Sequence, residues 1–320
     1  MWLGIVAGLA AGALWGLTFV APNLVSPFSP FDLALWRNVI FGVISAVLLW
    51  LFRARWRNLD RKGWQIALFL GLLGYSGYYL FVAYAVTFAG PALVALVIGS
   101  LPVLLAVVGN LRDRSMPWRL LVMPLLLIAA GIAVVNVSAM QEPVMGRQAG
   151  AVLFGFVLAI GGLLCWLIYG VINAEALRQR PGTDTTTWTS LQGVGAALGM
   201  LVVLPVGAAM GWSNLRPEML AASAAGPLWF WAIVTGAFSS WIATFAWVLA
   251  SRRLSVALSA QLIVSETVFG MFYGFIVESR WPVTAEIIGA ALLFGGVTLG
   301  IRLFARAGAA NAGNASAQNG

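Results

Sequence analysis

Histidine is missing from this 320-residue chain, and cysteine and lysine each occur once, at Cys165 and Lys62. A disulfide framework therefore cannot form within one chain. A zinc site and a Ser-His-Asp triad lose the side chains they are built from. Lys62 stands in Asp60-Arg61-Lys62-Gly63 with no glycine-rich loop before it, so there is no P-loop and the chain is not itself an ATPase. Catalysis by carboxylates alone stays open on composition, but no enzyme, cofactor or metal site is expected. Charge is also scarce. Asp, Glu, Lys and Arg make up 9% of the residues, against roughly 25% in soluble domains. Too few charges remain to cover a water-facing surface.

What is present in their place is apolar. Hydrophobic residues are 61% of the chain and the mean hydropathy is +0.94. The class this implies is an all-α polytopic membrane protein. A span needs ~20 mostly apolar residues, and ten such runs can be drawn: 2–21, 31–52, 64–87, 91–111, 117–138, 150–173, 186–211, 227–250, 255–277 and 283–304. They are continuously apolar rather than alternating, which selects helices over barrel strands. The first run has no basic segment before it and no clear cleavage motif, and is read as a retained span.

Basic residues collect in alternate loops. With the N-terminus in the cytoplasm, 14 of them lie inside: Arg53, Arg55, Arg57, Arg61, Lys62, Arg112, Arg114, Arg119, Arg178, Arg180, Arg252, Arg253, Arg302 and Arg306. Three lie outside, Arg147, Arg216 and Arg280. This bias puts both termini in the cytoplasm of a cell inner membrane. The net charge of +8 is thereby a topology signal, and no nucleic-acid partner is expected. The expected partners are the lipid bilayer and a small-molecule substrate. Residues 305–320, small and polar, are expected to be a disordered cytoplasmic tail.

The chain resembles itself at an offset of 165 residues. Trp64 meets Trp229, Gly71 meets Gly236, and Ala92-Leu93 meets Ala257-Leu258. Ser100 meets Ser265, Gly109 meets Gly274, and Asp113 meets Glu278. Pro117 meets Pro282, and Gly131 meets Gly296. Earlier, Trp15 and Trp166 correspond at a different offset. The halves are then 1–139 and 150–304, joined by an outside linker at 140–149. Five spans per half is an odd number, so the second copy inserts upside-down. Inverted repeats suit alternating access around a midplane site.

Several short stretches carry a family likeness over nearly the whole chain. They are Ala13-Leu14-Trp15-Gly16, Leu35-Trp36-Arg37, Ala83-Tyr84-Ala85, Pro91-Ala92-Leu93 and Leu101-Pro102-Val103 in the first half. In the second they are Glu266-Thr267-Val268, Glu278, Ile288-Gly289-Ala290 and Gly295-Gly296. In order and spacing they resemble the drug/metabolite transporter superfamily, specifically EamA-type exporters. Thr267 stands where that family commonly has proline, and Asp113 where it has glutamate. The ten-helix, aromatic-rich chain looks most like YddG-type amino-acid exporters. The resemblance implies export of a small metabolite, amino acids foremost.

The residues themselves nominate a site. Glu266 lies near mid-depth in an apolar run, where a charge costs ~2.5–3.5 kcal/mol on insertion scales. It is either a cavity carboxylate for a proton or ammonium group, or a structural glutamate bonded to neighbouring helices. Arg37 is shallower. It is a clamp for a carboxylate, a partner for Glu266, or an arginine that snorkels or ties two helices. Tyr75, Tyr78 and Tyr79 fall on one helix face by spacing, with Ser239, Ser240 and Thr244 at equivalent depth in the second half. Trp15, Trp166 and Trp241 lie away from the interfacial belts. Aromatic rings with hydroxyls suit an aromatic or other neutral amino acid, or an organic cation. The expected substrate-binding set is Trp15, Arg37, Tyr78, Tyr79, Trp166, Ser240, Thr244 and Glu266. Gly4, Gly8, Gly12 and Gly16 form a stripe for close helix approach. A passive channel or facilitator, or a proton-coupled exporter of organic cations, are the alternative functions.

Overall fold

The computed structural model describes residues 1–56, 59–89, 94, 97–114, 116–139, 149–215, 225–277, 279 and 281–318. Expectations on Arg57, Pro91-Ala92-Leu93, Arg147, Arg216, Glu278 and Arg280 lie outside these residues. Among the described residues there are ten long helical segments and no strand. They are α1 (Trp2–Val20), α2 (Pro30–Leu51), α3 (residues 61–89), α4 (Leu101–Asp113) and α5 (Trp118–Ala139). The second set is α6 (Ala149–Gln179), α7 (Thr185–Ala209), α8 (Gly226–Ser251), α9 (Val256–Val277) and α10 (Thr284–Gln318). Eight helical stretches are long and apolar enough to cross a membrane, and Trp118–Val134 is a shorter apolar one. In hydrocarbon no water can serve backbone groups, so each segment closes its own hydrogen bonds as a helix.

Helix starts follow local chemistry. Ser29 and Asp32 form a reciprocal capping box at the head of α2, with Pro30 in its first turn. Asp60 caps α3 through Gly63 N, and Asp184 caps α7 through Thr187 N. Asp32 also accepts from Ser213 Oγ at 2.6 Å and Asn214 N at 3.1 Å. The loop after α7 is thereby pinned to the start of α2.

Packing rests on missing side chains. α1 lies along α9, and its glycine stripe faces that helix throughout. A Cβ at Gly8 would come within 2.6 Å of Leu262, one at Gly12 within 1.9 Å of Ser265 Oγ, and one at Gly16 within 2.8 Å of the Gly270 nitrogen. Likewise α3 meets α7 backbone to backbone, where a Cβ at Gly71 would sit 1.9 Å from the Gln192 carbonyl oxygen. Lipid offers no hydrophobic drive between helices, so such close contact is what holds them. α5 and α10 pair with each other, α2 packs on α7, and α6 packs on α3.

Two helices depart from regular α geometry at matching places. α3 is π-helical over Leu72–Gly77, and α8 over Val234–Ile242. The turn after α4 puts Arg114 at φ 45°, and the turn after α9 puts Ser279, 165 positions on, at φ 51°. The π stretch also divides the glycines around it: Gly71 faces α7 while Gly74 faces the Tyr169 ring of α6. Each π turn adds a residue and rotates the side chains downstream of it.

Boundaries differ in two places that matter. α6 continues to Gln179 rather than ending near 173, which carries Glu175 and Arg178 on its last turn. α10 continues to Gln318, where a disordered tail was expected from 305. That expectation weighed burial, whereas residues 305–317 hold seven alanines, the strongest helix formers.

The basic ends of the helices are tied together by ions. Arg180 Nε donates to Asp60 Oδ1 at 2.8 Å, and Arg55 lies 3.5 Å from Asp184. Arg252 donates to Thr185 Oγ1 at 3.1 Å and to the Pro181 carbonyl at 3.2 Å. The hydrogen bond from Arg180 holds the Asp60 carboxyl below its ordinary range. A depressed carboxylate contributes stability above its unfolded value of about 3.9 and loses it as pH falls through the folded value. Asn keeps the cap of α3 but not the charge. Detergent-solubilised Asp60→Asn protein should melt below the wild type at neutral pH, and the gap should narrow as pH drops below about 3.9; a gap that is constant with pH would dismiss the pair. Gly71→Ala should cost about 1–3 kcal/mol by overpacking. Gly274→Ala, whose Cβ meets nothing within 4 Å, should melt like the parent.

Candidate functional site

The nominated residues converge on the middle of the bundle. Arg37, on α2, turns inward and donates from Nε to Ser240 Oγ at 3.1 Å. This bond ties α2 to α8 and leaves the clamp reading open. Ser240 lies in the π stretch of α8 and passes its own proton to the Thr235 carbonyl at 2.9 Å. Tyr75, in the π stretch of α3, is hydrogen-bonded through Oη to Thr244 Oγ1 just beyond the π stretch of α8. The two irregular segments are thus joined directly.

The three tyrosines do not act as one face. Tyr75 is buried against Phe41 and Tyr169, with ring centroids at 5.3 and 6.0 Å. Tyr78 meets Trp166 edge-on at 6.0 Å. Tyr79 donates its hydroxyl proton to the Pro30 carbonyl at 2.6 Å, at the head of α2. Trp15 and Trp166 meet edge-on at 5.4 Å, and Trp247 stands 5.7 Å from Trp15. These rings make an aromatic floor, and Trp15, Trp166, Ser240 and Thr244 are all buried. Trp241, on the same helix as Ser240, donates from Nε1 to Ser190 Oγ at 3.3 Å.

Glu266 sits about 15 Å along α9 at 1.5 Å per residue. The stretch before it, from Ala257 to Ser265, is buried without interruption, whereas Glu266 is half-buried. Arg37, Tyr78 and Tyr79 are half-buried as well. Glu266 acts electrostatically on Arg37, Tyr75 and Tyr78, which places its carboxylate on the interior side. Among the described residues it has no hydrogen bond and no ion pair within 4 Å. The direct Arg37–Glu266 partnership does not form. The nearest backbone to Glu266 across the α1 interface is that of Gly12, whose missing side chain lets α1 approach at this level.

Behind the floor runs a polar chain that sequence reasoning did not assemble. Tyr169 donates to Gln192 Oε1 at 2.9 Å. Gln192 Nε2 and Trp188 Nε1 both donate to Asn173 Oδ1, at 3.1 and 2.9 Å. Asn173 and Gln192 each lie inside an apolar run, and that was the available signal.

A space opens at the arginine-rich end. It is a cavity of about 540 Å³ between the ends of α4, α6, α8 and α9. Arg112, Asp113, Glu175, Arg178, Arg252 and Arg253 line it, with Gly109 and Val256. Leu105 of α4 packs against Gly170 of α6, and Gly109 of α4 against Val256 of α9.

Comparison with known proteins agrees with this build. Residues 2–137 match the EamA-like transporter family. Over 311 residues the chain is 31% identical to "Inner membrane protein YtfF" of Escherichia coli (strain K12), covering 93% of this chain and 95% of that one. The chain belongs to the EamA-like transporter family. As a member of that family it is a membrane transporter and not an enzyme. It is also 22% identical to "Uncharacterized transporter YyaM" of Bacillus subtilis (strain 168), over 88% of each chain. A solved crystal structure, 21% identical, shares the fold of this EamA-like chain at a TM-score of 0.72, covering 95% of this chain and 98% of that one.

The Tyr75–Thr244 bond is open to a direct check. In a double-mutant cycle of Tyr75→Phe and Thr244→Val, thermal melts should show a coupling of about 0.5–2 kcal/mol. Additive effects would mean that the bond contributes nothing.

Proposed function

We propose that this transporter is a secondary active exporter of small metabolites, with neutral or aromatic amino acids as its leading substrates. It works by alternating access around the central chamber, between two inverted halves of the inner membrane protein, 1–139 and 150–304. Both termini and the arginine-rich end face the cytoplasm. The matched π stretches and matched left-handed turns support the two-half reading, since each pair sits five helices apart.

The observation that carries the proposal is the separation of Arg37 and Glu266. One comes from α2 in the first half, the other from α9 in the second. They face the same aromatic-floored space without touching. Arg37 has spent only Nε on Ser240, so its two terminal nitrogens remain for a carboxylate. Glu266 remains for an ammonium group. A zwitterion answers both charges at once, and the tryptophan and tyrosine rings cover an apolar side chain. Binding energy shared between the halves favours a closed chamber, from which either side can open.

Glu266 without a partner also suits a proton-coupled exporter of organic cations, and a facilitator would use the same chamber without coupling. Purified protein in liposomes, loaded with unlabelled amino acids and challenged with labelled ones, separates these. Trans-stimulated exchange is expected. Arg37→Ala and Glu266→Gln should each weaken half-saturation by about tenfold or more, as loss of one charged hydrogen bond requires. Tyr78→Ala should weaken it less for glycine than for phenylalanine. Downhill flux with no trans-stimulation would point to a facilitator. Exchange of organic cations that depends on Glu266 and ignores Arg37 would point to the cation exporter.

A further inference from the structure

The cavity at the arginine-rich end has a composition that gate packing alone does not require. Four guanidinium groups and two carboxylates line it, an excess of two positive charges. Its volume of about 540 Å³ lies within the ~300–1,000 Å³ usual for small-molecule sites. Four helix ends border it, and its arginines reach the surface, so a solute can enter it directly.

Its charges are arranged as a lock. Arg178, on the last turn of α6, donates to Asp113 Oδ1 of α4 at 3.2 Å and also to Glu175. Arg112 of α4 donates to Glu175 Oε2 at 3.1 Å. These bonds hold the end of α4 against the end of α6. Deeper in, Leu105 and Gly170 of the same two helices are in close contact. Arg253 has no hydrogen bond or ion pair among the described residues, and Arg252 is spent on Thr185 and the 180–181 backbone.

We propose that this vestibule is a loading site for a small carboxylate-bearing solute, whose carboxylate takes Arg112 and Arg178 from Glu175 and Asp113 and so releases α4 from α6. The inference rests on the reading that this end is cytoplasmic and that the cargo leaves the cell. Exposed ion pairs are worth little each, about 0–1 kcal/mol, so a bidentate carboxylate competes with them on even terms. A solute lacking the carboxylate finds the lock closed. The two acids then remain to receive an ammonium group, which again favours a zwitterion.

Val171 lines this cavity and gives a reporter. The chain carrying Cys165→Ser and Val171→Cys is placed in phosphatidylcholine discs, open to both faces, and treated with a small neutral maleimide. A mixture of neutral amino acids at millimolar concentration should slow labelling several-fold, and the corresponding amino-acid amides should not. Arg178→Gln should raise the half-protecting concentration about tenfold or more. Protection should persist in Arg37→Ala. Equal protection by amides, no protection by the acids, or protection that vanishes with Arg37→Ala would overturn the loading site. Protection by added phosphatidylglycerol alone would overturn it in favour of a lipid headgroup. Acids that protect while no amino acid exchanges in liposomes would remove the transport proposal and leave this site standing. Exchange without protection would do the reverse.

Discussion

A polar atom inside this bundle can be satisfied only by another part of the bundle. Most of the central architecture results from that constraint. Ser240 accepts from Arg37 and donates to Thr235, so one hydroxyl serves a guanidinium and a carbonyl of the π stretch. Tyr75 and Thr244 satisfy each other, and Tyr169, Gln192, Asn173 and Trp188 share protons across α6 and α7. Interhelical bonds of this kind are individually modest, averaging ~0.6 kcal/mol in one membrane protein. Their value here is positional: each fixes which helix face meets which. Not every interior group is satisfied: Asn173 Nδ2, Ser239 Oγ, Trp247 Nε1 and both polar atoms of Gln261 have no partner among the described residues. Glu266 is the carboxylate in this company, half-buried and with no hydrogen bond or ion pair to a described residue.

The two ways the helices are held together have different consequences. α1 lies on α9 through Gly8, Gly12 and Gly16, with no room for even a methyl group. Such a contact cannot be exchanged part by part, because every added atom collides with a backbone or a tightly packed side chain. α4 and α6 are instead joined at their ends by arginine–carboxylate pairs in contact with water. Those pairs can be traded one for another, or for a solute, at small cost. The close-packed seam carries Glu266; the exchangeable one borders the arginine-rich cavity.

Much of this was legible in the sequence, for physical reasons. Span number and type come from apolar run length, because a bilayer fixes how many residues must cross it. Trp15 and Trp166 stood out because they lie away from the interfacial belts, and Ser240 and Thr244 because they are polar within an apolar run; the structure buries all four. The grouping of Tyr75, Tyr78 and Tyr79 failed because it assumed 3.6 residues per turn. Nothing in Leu72-Leu73-Gly74-Tyr75-Ser76-Gly77 breaks an apolar run, so the π turn that rotates the last two tyrosines leaves no trace in composition. The ion-pair lock was also missed. Arg112 and Arg178 read as topology charges, Asp113 as a repeat position, and Glu175 carried no signal of its own; only the C-terminal end of α6 brings them together.

Arg37 and Glu266 could have closed on each other, and the packing explains why they do not. The Nε bond to Ser240 aims Arg37 at α8, while Gly12 draws α1 against the α9 backbone at Glu266. Arg37 is thus held by a residue of α8, and the backbone at Glu266 by its contact with α1. An ion pair between them would satisfy both and leave nothing for a ligand to do. Held apart, they set a condition on the occupant: a cation leaves Arg37 unanswered, an anion leaves Glu266 unanswered, and in a low-dielectric site an unanswered charge is costly. On the proposed reading, selectivity for a zwitterion would need no dedicated recognition loop: two helices that present opposite charges and are kept from meeting would suffice.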